Sequence, residues 1–364
     1  MAETTKPRLL SVIGARPEII QAAPLSAALA AHVDEVLVHT GQHYDPEMSD
    51  LQIADLRLPV PRHNLEVGSL PDLDQLELTT ERLAAVIGRE RPDAVLVRGD
   101  TNATLAGARA AKAAELPLFH VEAGLRSHRG DMPEERNRVR TDHLSDVLFA
   151  PTESARANLL REGVRGVIHT TGDVLADVLL ASRNRLATAP RRGSYVLATV
   201  HRNYNTDDRD RLRAVLDCLA RSDTMVIVPL HPRTRHRLEE EALLVPPNVR
   251  TIKPVTYSQM LALEAGAAAI ATDSGGVQRE AYLWGVPCIT LREETEWVET
   301  VSTGWNTLVG ADSEAFAAAL VRPLPHERPP VFGDGHAAER IAQLCAEHLA
   351  GKGRAQAAGE ASVA

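Results

Sequence analysis

Aromatic side chains are scarce in this chain of 364 residues: four Phe, three Trp and five Tyr make up only 3% of it. Its cores must therefore be aliphatic, and a hydrophobic content of 44% supplies the Ala, Val, Leu and Ile to build them. Cysteine is rarer still. Cys218, Cys288 and Cys345 are odd in number and scattered, with no CxxC or His-rich spacing, which counts against a disulfide framework and a zinc site and fits reduced thiols in a cytoplasmic protein. No run of about 18 apolar residues occurs, so no membrane span is expected. The opening stretch MAETTKPRLLSVIG lacks the apolar core of a signal peptide. Positive charge is also in deficit: 40 Lys and Arg stand against 49 Asp and Glu, a formal net charge of −9. So acidic a chain is poorly suited to nucleic acid, although a local site can still hold an anion through backbone N–H groups.

What is present is a repeated α/β pattern. Short β-branched runs alternate with longer Ala/Leu/Arg-rich stretches, as in βαβ units. The first half offers strands at Leu9–Ile13, Glu35–His39, Ala94–Arg98, Leu118–Val121, Val147–Ala150 and Val167–Thr170. The second half offers Tyr195–Thr199, Met225–Pro229, Val249–Lys253, Ala268–Thr272, Cys288–Leu291 and Thr307–Val309. Runs such as AVLV and VLAT are apolar on both faces, as buried parallel strands should be. Helical patterns lie between them, for example Leu76–Ile87 and Leu105–Ala114. The chain is too long for one core and comfortable for two. The expectation is two Rossmann-like, doubly wound α/β domains facing across a cleft: residues 1–185, residues 186–350, and a disordered tail of small and polar residues at 351–364. The boundary is expected in Arg183–Gly193, where Pro, Gly and charge separate a helical run from a fresh strand.

Ligands of open α/β sheets bind beyond the carboxyl ends of the strands, so the residues that follow each strand carry the functional signal. Strand one runs into Gly14-Ala15-Arg16-Pro17-Glu18. One glycine is too few for the GxGxxG fingerprint, and no GxxxxGK[ST] loop occurs anywhere. Arg16 is then a cation at a helix start, or simply a surface charge. The strand Ala94–Arg98 ends in Gly99-Asp100-Thr101, where Asp100 has an ordinary reading as a helix N-cap. The next strand ends in HVEAGLR, placing Glu122 and Arg126 at the same sheet edge, and PEERNR follows with Glu134 and Arg138. An exposed i, i+4 pair is the plain account of the last two. Three acids converging on one crevice instead suit general acid/base work.

In the second half, two strands end in His plus a basic residue: Val200-His201-Arg202 and Leu230-His231-Pro232-Arg233. A single such His is usually a capped turn, whereas two at equivalent strand ends make a cationic rim. The sharpest local feature is Thr272-Asp273-Ser274-Gly275-Gly276-Val277-Gln278-Arg279-Glu280. Ser-Gly-Gly opening a helix after an apolar strand exposes N–H groups that a diphosphate can approach closely, with the helix dipole in its favour. Glu280, further along, can accept hydrogen bonds from both hydroxyls of a ribose.

Taken in order, GARPEIIQAAPL, TGQHYD, GDTNAT, HVEAGLRS, PEERNR, TVHR, PLHPRTR, TDSGGVQREAYLWGVPCITLREETEW and GWNTLVG resemble the signature stretches of the bacterial non-hydrolysing UDP-N-acetylglucosamine 2-epimerases, over roughly residues 8–345. The resemblance implies a glycosyltransferase-B type fold, UDP held mainly by the C-terminal domain, a homodimer, and no metal or redox cofactor. By position, Asp100, Glu122 and Glu134 match the family's acid/base carboxylates, Arg138 a supporting cation and His201 a histidine near the phosphates. Arg16, Ser274, Gly275, Gly276 and Glu280 match nucleotide contacts, with His231 and Arg233 on the cationic rim. The stretch around Tyr257 and Met260 matches the segment beside the uracil. Gln42 and His43, in the TGQH segment, match part of a regulatory site that binds a second UDP-GlcNAc in some members. Two positions depart from the pattern: Gln21 stands where the family usually has Lys, and Tyr204 where HRxEN usually has Glu.

The reaction so implied is reversible conversion of UDP-N-acetylglucosamine to UDP-N-acetylmannosamine through elimination of UDP, a 2-acetamidoglucal, and re-addition. One carboxylate is expected on each face of the ring. Two other readings share the nucleotide site: a UDP-sugar hydrolase or glycosyltransferase, and a catalytically weak UDP-sugar-binding protein suggested by Gln21 and Tyr204.

Overall fold

The computed structural model describes residues 6–41, 53–183, 193–230 and 232–361. Two compact units result, one of Met1–Val178 with Val331–Ala364 and the other of Leu179–Pro330.

In the first unit a seven-stranded parallel sheet has the order β3-β2-β1-β4-β5-β6-β7. Its strands are β1 (Arg8–Ile13), β2 (Asp34–His39), β3 (His63–Asn64), β4 (Ala94–Arg98), β5 (Leu118–Val121), β6 (Val147–Ala150) and β7 (Val167–Thr170). Alternate residues point to opposite faces, and both faces are buried. Leu10, Val12, Val95 and Val97 pack under the helices Asp72–Glu90 and Asn102–Ala113. Leu9, Ala94, Leu96 and Phe119 pack on the other face, against Leu25 and Leu29 of helix Arg16–Leu29. Gly107 lets its helix sit directly on the sheet, because a β-carbon there would come 2.6 Å from Val97 Cγ1.

The second unit repeats the plan with six parallel strands in the order β10-β9-β8-β11-β12-β13. These are β8 (Tyr195–Thr199), β9 (Met225–Pro229), β10 (Val249–Ile252), β11 (Ala269–Thr272), β12 (Cys288–Thr290) and β13 (Asn306–Leu308). One face packs against helices Arg209–Ala220 and Ser313–Leu320, the other against Tyr257–Gly266 and Gly275–Trp284.

The twelve strands expected from the sequence are all present, each end within one residue of its expected place. The two-residue β3 has too few residues to show any periodicity. The C-terminal expectation needs correcting. Ala338, Ile341, Ala342, Cys345 and Leu349 form an apolar stripe on the helix Ala337–Ala361, and that stripe packs in the first unit's core with Leu9, Leu25 and Leu96. Residues 331–350 therefore belong to the first unit, and the helix that carries the stripe is Ala337–Ala361. Asp177 anchors its start, accepting hydrogen bonds from the N–H groups of Ala337 and Ala338 at 3.1 and 2.6 Å.

Both sheets reverse their winding at one point, between β1 and β4 in the first and between β8 and β11 in the second. Such switch points open a crevice beyond the strand ends. At the first, Glu18 ties the two diverging turns together. Its carboxylate is buried and accepts from the N–H groups of Gly14 (2.5 Å) and Ala15 (2.9 Å), and from the hydroxyls of Thr101 and Thr104, the latter at 3.0 Å. Burial pushes this carboxyl above its ordinary range, against the pull of those four donors. Glu18→Gln keeps the shape but replaces one doubly accepting carboxylate oxygen by an amide N–H2, which cannot accept from either the Gly14 and Ala15 N–H pair or the two Thr hydroxyls as they now donate. A loss of about 1–3 kcal/mol is expected, read as a lower urea midpoint at unchanged m-value. An unchanged midpoint would refute this role.

Candidate active site

The first cluster lies at the carboxyl ends of β1, β4 and β5. Strands β4 and β5 pair in the register Arg98↔Val121, so the turns Gly99–Asp100 and Glu122–Gly124 are neighbours. Gly99 takes φ 71°, a left-handed turn suited to glycine. The helix that follows is capped by Thr101, whose hydroxyl accepts from Ala103 N–H at 3.1 Å. The cap expected of Asp100 is thus supplied by its neighbour. Asp100 instead pairs with the guanidinium of Arg138, a buried side chain that also reaches Glu135 Oε2 at 3.2 Å.

Glu122 holds φ 68°, left-handed backbone in a residue that has a β-carbon. Such a conformation costs about 1–3 kcal/mol and persists only where the surroundings enforce it. Here they do. Gly124, at φ 87°, is jammed against Ala155, whose carbonyl oxygen would lie 2.3 Å from a β-carbon at that position. Asn158 donates to the Gly124 carbonyl at 2.9 Å. On the Glu122 carboxylate itself, buried Gln21 donates from Nε2 to Oε2 at 2.5 Å. Arg16 opens the helix that carries Gln21 and is partly exposed.

Glu134 sits half-buried in the first turn of helix Pro133–Leu144, which follows β5. Its neighbour Glu135, not singled out from the sequence, is buried and accepts from Ser127 N–H, Ser127 Oγ and His128 N–H at 2.9–3.0 Å. Arg126 is buried too, between Asp142 at 2.8 Å and Glu162 at 2.6 Å, so that cation of the HVEAGLR stretch is a packing element.

The second cluster lies at the ends of β8 and β11 in the other unit. Its centre is Asp273, fully buried and passed over in the sequence reading. Asp273 accepts from the N–H of His201 at 3.0 Å, the N–H of Arg202 at 2.9 Å and the amide of Asn205 at 3.1 Å. The His201 ring places Nδ1 3.2 Å from the same carboxylate and is 40% exposed. An Asp held on Nδ1 fixes the ring's orientation. The adjacent Asp-Ser in TDSGG was the available clue, since a buried acid beside a helix start needs donors.

Ser274 caps the helix Gly275–Trp284 by position, its own N–H donating to Thr272 Oγ1 at 2.9 Å. At Gly275 a β-carbon would lie 2.2 Å from Glu296 Oε1, so any other residue would displace that side chain; at Gly276 the nearest atom is 3.8 Å away, leaving the amide approachable. Glu296 is balanced by buried Arg292, 2.8 Å from its Oε2. Five residues along from Gly275, a rise of roughly 7.5 Å, buried Glu280 accepts from Tyr257 Oη at 2.9 Å. Tyr257 and Met260 are both buried. Burial pushes the Tyr204 phenol well above its ordinary value. Arg233 lies in the first turn of helix Pro232–Glu240. His231, Gln42 and His43 lie outside the described residues.

The two clusters differ in chemistry. The first offers carboxylates flanked by an amide and a guanidinium, fit for moving protons. The second offers helix-start amides with an oriented imidazole, fit for an anionic leaving group. No group of three or more His, Cys, Asp or Glu that could hold a metal occurs among the described residues.

The profile of the UDP-N-acetylglucosamine 2-epimerase family matches residues 27–346. A Methanococcus maripaludis protein named UDP-N-acetylglucosamine 2-epimerase homolog is 41% identical over 355 residues, covering 93% of this chain and 99% of its own. A Pseudomonas aeruginosa protein named UDP-2,3-diacetamido-2,3-dideoxy-D-glucuronate 2-epimerase is 40% identical over 355 residues, with coverage of 93% and 99%. The crystal structure of Methanocaldococcus jannaschii UDP-GlcNAc 2-epimerase in complex with UDP-GlcNAc and UDP matches with a TM-score of 0.86 at 39% identity, covering 93% of this chain and 99% of that one. The chain belongs to the UDP-N-acetylglucosamine 2-epimerase family.

Proposed function

We propose that the protein is an isomerase interconverting UDP-N-acetylglucosamine and UDP-N-acetylmannosamine, with UDP held by the second unit and acid/base groups supplied by the first. The observation that carries this reading is the adjacency of Asp100 and Glu122 at the ends of paired strands, each held by a neighbour that donates to it. Around it stands a family whose Methanocaldococcus member was crystallised with UDP-GlcNAc and UDP.

The chemistry follows from the substrate. No carbonyl adjoins C2, so its C–H bond is not acidic while C1 remains bonded to UDP. As the C1–O bond breaks, its electron pair leaves with the β-phosphate oxygen and C1 gains positive character. A carboxylate then takes the C2 proton, and the C1=C2 double bond of 2-acetamidoglucal forms. An acid on the opposite face returns a proton to C2, and UDP oxygen re-adds at C1. The route consumes no electrons and needs no redox cofactor. Asp100, Glu122 and Glu134 are the proposed proton-transfer groups, with Arg138 supporting Asp100. The Gly275 and Gly276 amides, Ser274, Arg16, His201, His231 and Arg233 are proposed for the diphosphate, Glu280 for the ribose, and the Tyr257–Met260 turn for the uracil. His201 turned by Asp273 suits protonation of the leaving oxygen.

Gln21 gives Glu122 an uncharged donor where the resemblance leads one to expect a cation. The Pseudomonas relative is named for another UDP-sugar with a 2-acetamido group, and inversion at C2 is the step such substrates share. A cytoplasmic homodimer completes the proposal. The resemblance supports the dimer, and three free, buried cysteines fit a reducing compartment.

Incubation with UDP-GlcNAc in deuterated water, followed by proton NMR, should show the C2 proton exchanging and UDP-ManNAc signals growing in. Free sugar released with UDP would indicate hydrolysis instead, and retention of C2 protium would exclude the reading. Asp100→Asn should slow exchange by about 10²–10⁴-fold; wild-type exchange would remove Asp100 from the mechanism. Gly275→Ala, which forces a methyl group onto Glu296, should weaken UDP binding about tenfold, or 1.4 kcal/mol, by calorimetry. Unchanged affinity would place the diphosphate elsewhere.

A further inference from the structure

A buried pair links the first cluster from beneath. His120 lies in the middle of β5 and is fully buried, as is Asp142 on the helix Pro133–Leu144. His120 Nδ1 is 2.8 Å from Asp142 Oδ1, and its Nε2 is 2.9 Å from the carbonyl oxygen of Gly99. The other oxygen of Asp142 accepts from Gly124 N–H at 3.2 Å and lies 2.8 Å from Arg126. One carboxylate thus reaches both turns: the one bearing Asp100, through the imidazole, and the one bearing Glu122, directly.

The two turns are held by different means. Gly124 is fixed sterically, with Ala155 O and Leu159 Cγ pressing on the place of a β-carbon. Gly99 has nothing within 4 Å of that place. At φ 71° it is also the residue type with the widest choice of backbone angles. Two hydrogen bonds hold its peptides: its N–H to Val121 O at 3.1 Å and its carbonyl to His120. An apolar side chain would fill the core of β5 equally well, whereas a buried imidazole is costly unless its nitrogens find partners. The ring's partners are the hub carboxylate and the peptide immediately before Asp100.

We propose that His120, held by Asp142, is a positioning residue that fixes the Gly99–Asp100 peptide and so sets Asp100 against Glu122. The proposal rests on the reading that these carboxylates exchange the C2 proton, and it concerns a group that touches neither substrate nor reacting atoms.

Two amide substitutions separate this role from simple packing. In His120→Gln the amide nitrogen takes the place of Nε2 and can still donate to Gly99. In His120→Asn it takes the place of Nδ1, serving Asp142 and leaving Gly99 without a donor. A misplacement of about 1 Å costs on the order of 10²-fold in rate. The expectation is that His120→Asn lowers kcat for C2 exchange by about that factor, with KM and the calorimetric Kd for UDP little changed. His120→Gln should recover at least about tenfold of the loss. Equal rates in the two variants, a better rate in His120→Asn, or a loss confined to KM would overturn the proposal. Crystal structures of the variants give a second readout that does not depend on turnover. The Gly99 carbonyl should turn away and Asp100 leave Arg138 in His120→Asn only; an undisturbed Asp100–Arg138 pair there would also overturn it. Absence of exchange in the wild-type protein would instead strike the functional reading and leave the structural comparison to decide the positioning role.

Discussion

The glycine-rich turn after β11 in the second unit depends on one buried carboxylate. Asp273 is shut off from water, a state that strongly disfavours an ionised carboxylate unless donors surround it. The donors come from the turn after β8, through two successive backbone N–H groups and the side chains of Asn205 and His201. Strands β8 and β11 are neighbours, in register from Ala269↔Val196 to Thr272↔Thr199. The same carboxylate therefore locks the two strand-end turns together across the switch point. The histidine and the glycine-rich helix start are preorganised because moving either would strand that charge.

The first unit uses the same device several times. Glu18, Glu135 and Asp142 are all buried; Glu18 and Asp142 each gather donors from separate turns, and Glu135 ties the Ser127–His128 turn to its own helix. Asp100, Glu122 and Glu134 are only partly buried. The acids thus divide by environment. Enclosed carboxylates are committed as acceptors and hold backbone in place, while the partly open ones keep access to solvent or ligand and can exchange protons. The left-handed φ at Glu122 belongs with this division, since strain at a strand end is tolerated where neighbouring turns are held so firmly.

This division explains how much could be read from the sequence. Strands such as β4 and β11 are continuous apolar runs, so their positions and the residues beyond them were legible. Gly275 and Gly276 announced a helix start. Which of two adjacent acids faces outward was not legible: Glu134 and Glu135 differ by one position on a helix, about 100° of rotation, and only packing decides between them. Asp273 sat unremarked inside the most informative stretch because its role lies in donors more than 60 residues earlier in the chain. Residues 331–350 were expected in the second unit for a similar reason, their helix being covered by the first unit's sheet. The apolar stripe of that helix shows that it must be covered, but not by which sheet.

Gln21 and Tyr204 remain the two positions that set this chain apart from the pattern it resembles. Gln21 is buried and bonded through Nε2 to Glu122, and burial holds the Tyr204 phenol in its neutral form. Both put an uncharged group where a charged one is usual, altering electrostatics without removing the turns that carry the site. The most direct test of the account is a crystal structure with UDP bound. The account predicts diphosphate oxygens about 3 Å from the Gly275 and Gly276 nitrogens, with the ribose hydroxyls on Glu280. A nucleotide seated away from that helix start, with Asp273 still holding His201, would contradict it.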